Sequence, residues 1–122
     1  MERFAEMALL ADFYGPLLTE KQRYIWDLHY DQDLSLVEIA STEDISRQAV
    51  YDLLKRTEKI LRDYEAKLGL VQRFLLEQGK LSEVREQLQV FAKVDFANPK
   101  AWENYQQIRK QLNDVFNVME SS

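Results

Sequence analysis

Leu34-Ser35-Leu36-Val37-Glu38-Ile39-Ala40 and, after four intervening residues, Ile45-Ser46-Arg47-Gln48-Ala49-Val50-Tyr51-Asp52 decide how this chain folds. Ser35 followed three residues later by Glu38 is a capping box, the reciprocal pairing that opens a helix. Leu34 before the cap and Ile39 at the fourth helical position fit a hydrophobic staple. Ser46 repeats the pattern, with Ile45 before it and Val50 four residues beyond. The spacing therefore predicts a short helix over about Leu36 to Ser41, a turn of about four residues, and a second helix beginning after Ser46. That order is the geometry of a helix-turn-helix. Ala40 is the small residue that lets the two helices cross closely. Ile39, Ile45, Val50 and Leu53 wedge one onto the other.

Upstream, Thr19-Glu20-Lys21-Gln22 is another capping box, and it opens a helix expected to run to about Tyr30. Tyr24, Ile25 and Leu28, with His29 beside them, are its expected apolar members. This helix supplies the third element of a trihelical core. Further upstream, Phe4, Met7/Ala8, Ala11 and Tyr14 keep helical spacing until Gly15-Pro16 breaks it.

Downstream, Ala49, Val50, Leu53, Leu54, Ile60 and Leu61 mark one face of a long helix that Gly69 ends or kinks. Leu70, Phe74, Leu81, Leu88 and Phe91 continue the helical spacing, and Gly79 and Ser82 leave open whether it breaks near residue 80. Asn98-Pro99 restarts a helix, Asn98 as cap and Pro99 at the first helical position. Its stripe is Trp102, Tyr105, Ile108, Leu112, Val115 and Met119. The chain reads as all-α: a trihelical helix-turn-helix domain with an amino-terminal helix over residues 1–68, and a carboxy-terminal helical extension over 69–122. The extension has more apolar face than the trihelical domain can cover. These faces pack on Phe4, Phe13 and Tyr14, on each other as core, or on a second copy. Trp102, Tyr105, Leu112 and Phe116 are the expected surface if a second copy or another partner covers them, and a homodimer is expected.

Composition agrees and excludes much. Three glycines and two prolines in 122 residues are too few for the turns of a β-rich fold. With no cysteine and a single histidine, His29, there is no thiolate or multi-histidine metal site, and no cysteine nucleophile. No apolar run reaches the roughly 20 residues of a membrane span. The amino terminus lacks the basic-then-apolar order of a signal peptide, so a cytoplasmic protein is expected. Asp31 and Asp33 suggest a calcium loop, but Leu36 and Thr42 stand where its glycine and glutamate belong. His29 has no catalytic companions at any telling spacing and is assigned a packing or surface role. Neither cofactor nor enzymatic activity is expected.

The net charge of -5 argues against nucleic acid when taken whole. Taken by segment it does not. Residues 19–45 carry Lys21 and Arg23 against seven acidic groups, whereas residues 46–62 carry Arg47, Lys55, Arg56, Lys59 and Arg62 against Asp52 and Glu58. One basic helix stands on an acidic support. If that helix enters a major groove, Ser46, Arg47, Gln48 and Tyr51 meet base edges, with Arg47 suited to guanine and Gln48 to adenine. Lys55, Arg56 and Lys59 then meet phosphates. Asp52, one turn from Gln48, opposes this.

Leu18-Thr19-Glu20-Lys21-Gln22-Arg23, Leu34 to Ala40 and Ile45 to Asp52 together resemble the domain with which sigma factors read promoter -35 elements. The Ser46–Asp52 string and Phe13-Tyr14 are most similar to the small bacterial YlxM-like helix-turn-helix proteins, whose genes neighbour those of the signal recognition particle GTPase and its receptor. The resemblance covers residues 1–68. It implies a regulatory role near that particle, with DNA as one partner and the particle's RNA or protein as the alternative. Two positions depart from the general motif. Glu43 stands where a bulky apolar residue plugs the turn, which suggests a looser turn. Asp44 stands where glycine is common because positive φ is required there, and Asp tolerates that conformation better than most residues.

Overall fold

The structure, a computed structural model, describes residues 3–120. Six helices account for nearly all of it: α1 (Arg3–Tyr14), α2 (Glu20–Tyr30), α3 (Leu36–Glu43), α4 (Arg47–Leu68), α5 (Leu70–Gln89) and α6 (Pro99–Glu120), with single 3₁₀ turns at Gly15–Leu17 and Lys93–Asp95. There is no strand among the described residues, and the fold is all-α. The chain forms two compact units, Met1–Gln72 and Arg73–Ser122.

Local chemistry starts α2, α3 and α4. Thr19 Oγ1 accepts from the Gln22 amide at 3.1 Å while Gln22 Oε1 accepts from the Thr19 amide at 3.0 Å. Ser35 and Glu38 close the same reciprocal pair, both bonds at 3.1 Å. Ser46 Oγ accepts from the Ala49 amide at 3.0 Å. Each such cap is worth about 1 kcal/mol. Gly69 ends α4 in the left-handed conformation, φ 62°, with its amide bonded to Glu65 O. A Cβ there would meet nothing within 4 Å, so the need for glycine is conformational and not steric.

α4 is the spine of this unit and packs against α1, α2 and α3. Met7, Leu10 and Tyr14 of α1, Ile25, Trp26 and Leu28 of α2, Ile39 of α3, and Val50, Leu54 and Leu61 of α4 form the buried core, which Val71 closes. Thr57, also fully buried, donates its hydroxyl to Leu53 O at 2.8 Å. The flank facing α1 is electrostatic. Glu58 accepts from Arg3 Nη2 at 2.5 Å and from Arg62 Nε at 3.0 Å, and Arg62 Nη1 reaches Glu6 at 2.8 Å.

Several expectations are revised. Tyr24 is 48% exposed, and Trp26, absent from the expected stripe, is 2% exposed. α2 lies against α1, α3 and α4 at once, so its buried face is wider than one stripe. Phe4 and Ala49 are exposed despite their helical spacing. α3 runs to Glu43, two residues beyond its expected end. The point left open near residue 80 is answered by α5, which passes through Gly79 and Ser82 without a break. A lone glycine inside a helix costs only about 1 kcal/mol, less than losing the surrounding hydrogen bonds.

In the second unit, Asn98 Oδ1 accepts from the Ala101 amide at 2.8 Å and Pro99 occupies the first position of α6, as its sequence predicts. α5 and α6 fold back on each other: the Tyr105 hydroxyl donates to Leu88 O, and the Arg85 guanidinium lies 3.9 Å above the centre of the Phe116 ring. Phe96 stands beside Phe91, Trp102 and Tyr105 with ring centres 5.0–6.0 Å apart. Tyr105 and Phe116 are 5% and 3% exposed, covered by their own chain, while Trp102 and Leu112 are half-buried. The four residues expected to form one partner surface are therefore split between an internal core and its margin. Two others, Ile108 and Val115, are 53% and 43% exposed on α6.

Candidate nucleic-acid interface

The turn between α3 and α4 fixes the presentation of α4. Asp44 takes φ 55°, ψ 46°, the left-handed conformation that its position in the motif predicts. The Asp44 and Ile45 amides both bond back to Ala40 O, which satisfies a carbonyl that α3 would otherwise leave open. Glu43 is explained by its partner: the Tyr24 hydroxyl donates to Glu43 Oε2 at 3.0 Å. That bond ties α2 to the end of α3 where an apolar plug would stand. The same bond, with some burial, raises the Tyr24 phenol above its ordinary value.

Beyond the turn, Arg47, Gln48, Tyr51, Asp52, Lys55, Arg56 and Lys59 are all exposed, while Val50, Leu54, Thr57 and Leu61 point inward. The expected residues thus share the outer surface of one helix, but they are not equally free. The Ser46 hydroxyl already accepts the Ala49 amide as a cap. Gln48 Nε2 donates to Asp52 Oδ1 at 2.9 Å. Lys55 Nζ lies 5.7 Å from the centre of the Tyr51 ring, and Lys59 pairs with Asp63 at 3.1 Å. Arg47 and Arg56 make no ion pair among the described residues.

Charge is sorted by face as well as by segment. Arg62, counted with the basic stretch, is committed to Glu58 and Glu6 on the flank toward α1. Burial works to raise the Glu58 carboxyl, but hydrogen bonds from Arg62 and Arg3 outweigh it and hold the group below the usual carboxylate range. Arg47, Lys55, Arg56 and Lys59 remain outside. A cleft of about 370 Å³ beside them is lined by Lys21 and Gln22 of α2, by Ile45, Ala49 and Leu53, and by Arg56 with Asp52. Lys21 and Arg56 line the same cleft, which sequence spacing could not reveal because the two cations lie on different helices.

His29 is a packing residue. Its Nδ1 lies 2.8 Å from Leu34 O, and its ring meets Tyr30 edge-on at 4.7 Å. Among the described residues, no group of three or more His, Asp or Glu side chains is placed to hold a metal ion, and no helix is long and apolar enough to cross a membrane.

Two capped helices joined by a left-handed turn, the second carrying its polar amino-terminal surface outward, define a helix-turn-helix protein. The chain belongs to the UPF0122 family: the family model described as "Putative helix-turn-helix protein, YlxM / p13 like" matches residues 1–100. A UPF0122 protein of Desulforamulus reducens is 51% identical over 84 residues, covering 69% of this chain and 72% of its own. One from Thermoanaerobacter sp. (strain X514) is 40% identical over 112 residues, covering 92% and 95%. One from Caldanaerobacter subterraneus is 52% identical over 83 residues, covering 68% and 71%.

Proposed function

We propose that this protein is a non-enzymatic, cytoplasmic regulator that binds duplex DNA with the amino-terminal half of α4 in the major groove. The observation that carries this reading is the sorting of cations on α4: Arg62 is spent on Glu58 and Glu6 and Lys59 pairs with Asp63, while exposed Arg47, Lys55 and Arg56, beside a polar helix start, make no ion pair among the described residues. Arg47 and Gln48 meet bases, Ser46 and Tyr51 border them, and Lys55, Arg56, Lys59 and Lys21 meet phosphates. The test is binding of duplex DNA by fluorescence anisotropy across a salt series. Lys55→Ala lowers the salt slope by about one unit, and Arg47→Ala relaxes base preference. Absence of binding at low salt by the unaltered protein rejects the reading.

A second reading rests on the acidic groups of α2, α3 and their links. Glu20, Asp31, Asp33, Glu38 and Asp44 are exposed. Together with the likeness to YlxM-like proteins, they favour an adaptor that meets a basic component of the signal recognition particle, for which an acidic face is attractive. The particle's RNA would instead meet the cations of α4. Tight binding to particle protein or RNA, with none to DNA, selects this reading. Either role is compatible with a homodimer joined through the second unit, for which exposed Ile108 and Val115, one heptad apart on α6, supply an apolar seam beside half-buried Trp102 and Leu112.

A further inference from the structure

Asp52 is an acidic residue in the middle of a basic surface, and the structure gives it a definite setting. It is the sixth residue of α4, exposed, and one helical turn beyond Gln48, whose Nε2 donates to its Oδ1 at 2.9 Å. Lys55 and Arg56 follow at the spacings that form ion pairs along a helix, yet neither pairs with it. Lys55 lies over the Tyr51 ring and Arg56 lines the cleft with Lys21. Asp52 lines that cleft too, and it presents a carboxylate that one neutral amide orients and that makes no ion pair among the described residues.

Such a group has a narrow choice of base edge. In the major groove guanine offers only acceptors, thymine an acceptor and a methyl group, and adenine an amino group beside an acceptor. Cytosine alone offers an amino donor with no acceptor next to it. Facing guanine or thymine, the carboxylate loses water and gains no bond, a cost that acts as rejection. We infer that Asp52, held in place by Gln48, is a specificity-determining residue that selects cytosine at one position of the DNA site. This rests on the DNA-binding reading. It assigns Asp52 the role of a base reader, and it makes Gln48 a positioning residue as well as a reader. It also accounts for a residue whose charge otherwise only weakens the interface.

The test is selection of the full-length protein against a randomised duplex pool at low salt, followed by sequencing, for the unaltered chain, Asp52→Ala, Asp52→Asn and Gln48→Ala. The unaltered chain enriches cytosine at one position by roughly tenfold over guanine or thymine. Asp52→Ala binds the pool more tightly, because a charge facing phosphates is gone, and loses preference at that position alone. Asp52→Asn shifts the position toward adenine, whose donor and acceptor edge matches an amide. Gln48→Ala weakens the cytosine preference. If Asp52→Ala binds DNA with an unchanged base matrix, the assignment of Asp52 is overturned while DNA binding stands. If no variant binds DNA, both are overturned.

Discussion

The hydroxyl of Tyr14 donates to Glu65 Oε1 across 2.5 Å, joining the end of α1 to the last turns of α4. Around this bond the junction with α5 is built. Glu65 also accepts the Val71 amide at Oε1 and the Gln72 amide at Oε2, both at 3.0 Å, and Tyr14 Oη accepts the Leu70 amide at 3.1 Å. A side chain of one helix thus caps the amino terminus of the next, where α5 has no residue of its own in that role. Removing the carboxylate leaves the Val71 and Gln72 amides and the O–H donor of buried Tyr14 without their acceptor. Glu65→Ala is expected to cost about 2–3 kcal/mol and Tyr14→Phe about 1 kcal/mol, read as shifts of the urea midpoint. Because the two share one network, the double variant should lose less than the sum.

The same junction makes the fold acid-sensitive. Burial works to raise Glu65, but the Tyr14 hydroxyl and the Val71 and Gln72 amides overcome it, so the carboxyl sits below its usual range, as Glu58 does. Both groups bind protons less readily folded than unfolded. Their contribution is present above the unfolded value, near 4.5, and is lost as pH falls through the folded values. Asp12, raised by burial first and by Asp31, works in the opposite sense and blunts the loss. Melting temperature should be level from pH 7 to pH 5 and fall below about 4.5. Glu65→Gln should flatten that fall, and an unchanged acid limb in this variant would exclude the carboxylate as its source.

The turn offers a cleaner test of backbone preference. Asp44 holds φ 55° at the exposed end of α3. Asp44→Gly should stabilise the protein by roughly 0.5 kcal/mol, and Asp44→Val should destabilise it by about 1–2 kcal/mol. Calorimetric midpoints in opposite directions from the unaltered chain would show that conformation, not charge, governs this site.

The seam on α6 predicts association. Ile108→Glu places a charge on the exposed part of that seam, one heptad from exposed Val115, and leaves unaltered Tyr105 and Phe116, the buried pair of that unit. Sedimentation equilibrium should show the unaltered chain as a dimer at high micromolar concentration and Ile108→Glu as a monomer. A monomer in both cases would leave the second unit without a role in pairing copies.

What the sequence made legible is local. The capping pairs at Thr19/Gln22 and Ser35/Glu38, and the left-handed Asp44, follow from spacings of three residues or from one residue's backbone tolerance, and they stand as read. What it hid depends on distant partners. Trp26 is buried because three helices surround α2, which no stripe along α2 encodes. Glu43 is intelligible only once Tyr24 is seen beside it, 19 residues away. Arg62 looked like part of a basic face until Glu6, 56 residues away, claimed it. Tyr14 and Glu65, 51 residues apart, left no sequence signal at all. On the candidate interface the composition of the surface was visible in advance, but the bond between Gln48 and Asp52 was not, although both lie one turn apart.

α4 follows its cap Ser46 and ends at Gly69, 22 helical residues later, so the helix that carries Arg47 and Gln48 also carries Glu65. At 1.5 Å per residue it is a rod of about 33 Å, and a tilt of about 5° at one end displaces the other by about 3 Å, the length of a hydrogen bond. On the proposed DNA-binding reading, substitutions at Tyr14 or Glu65 are expected to act on base readout through leverage, so that a variant keeping Arg47 and Gln48 can still read the wrong step of the duplex.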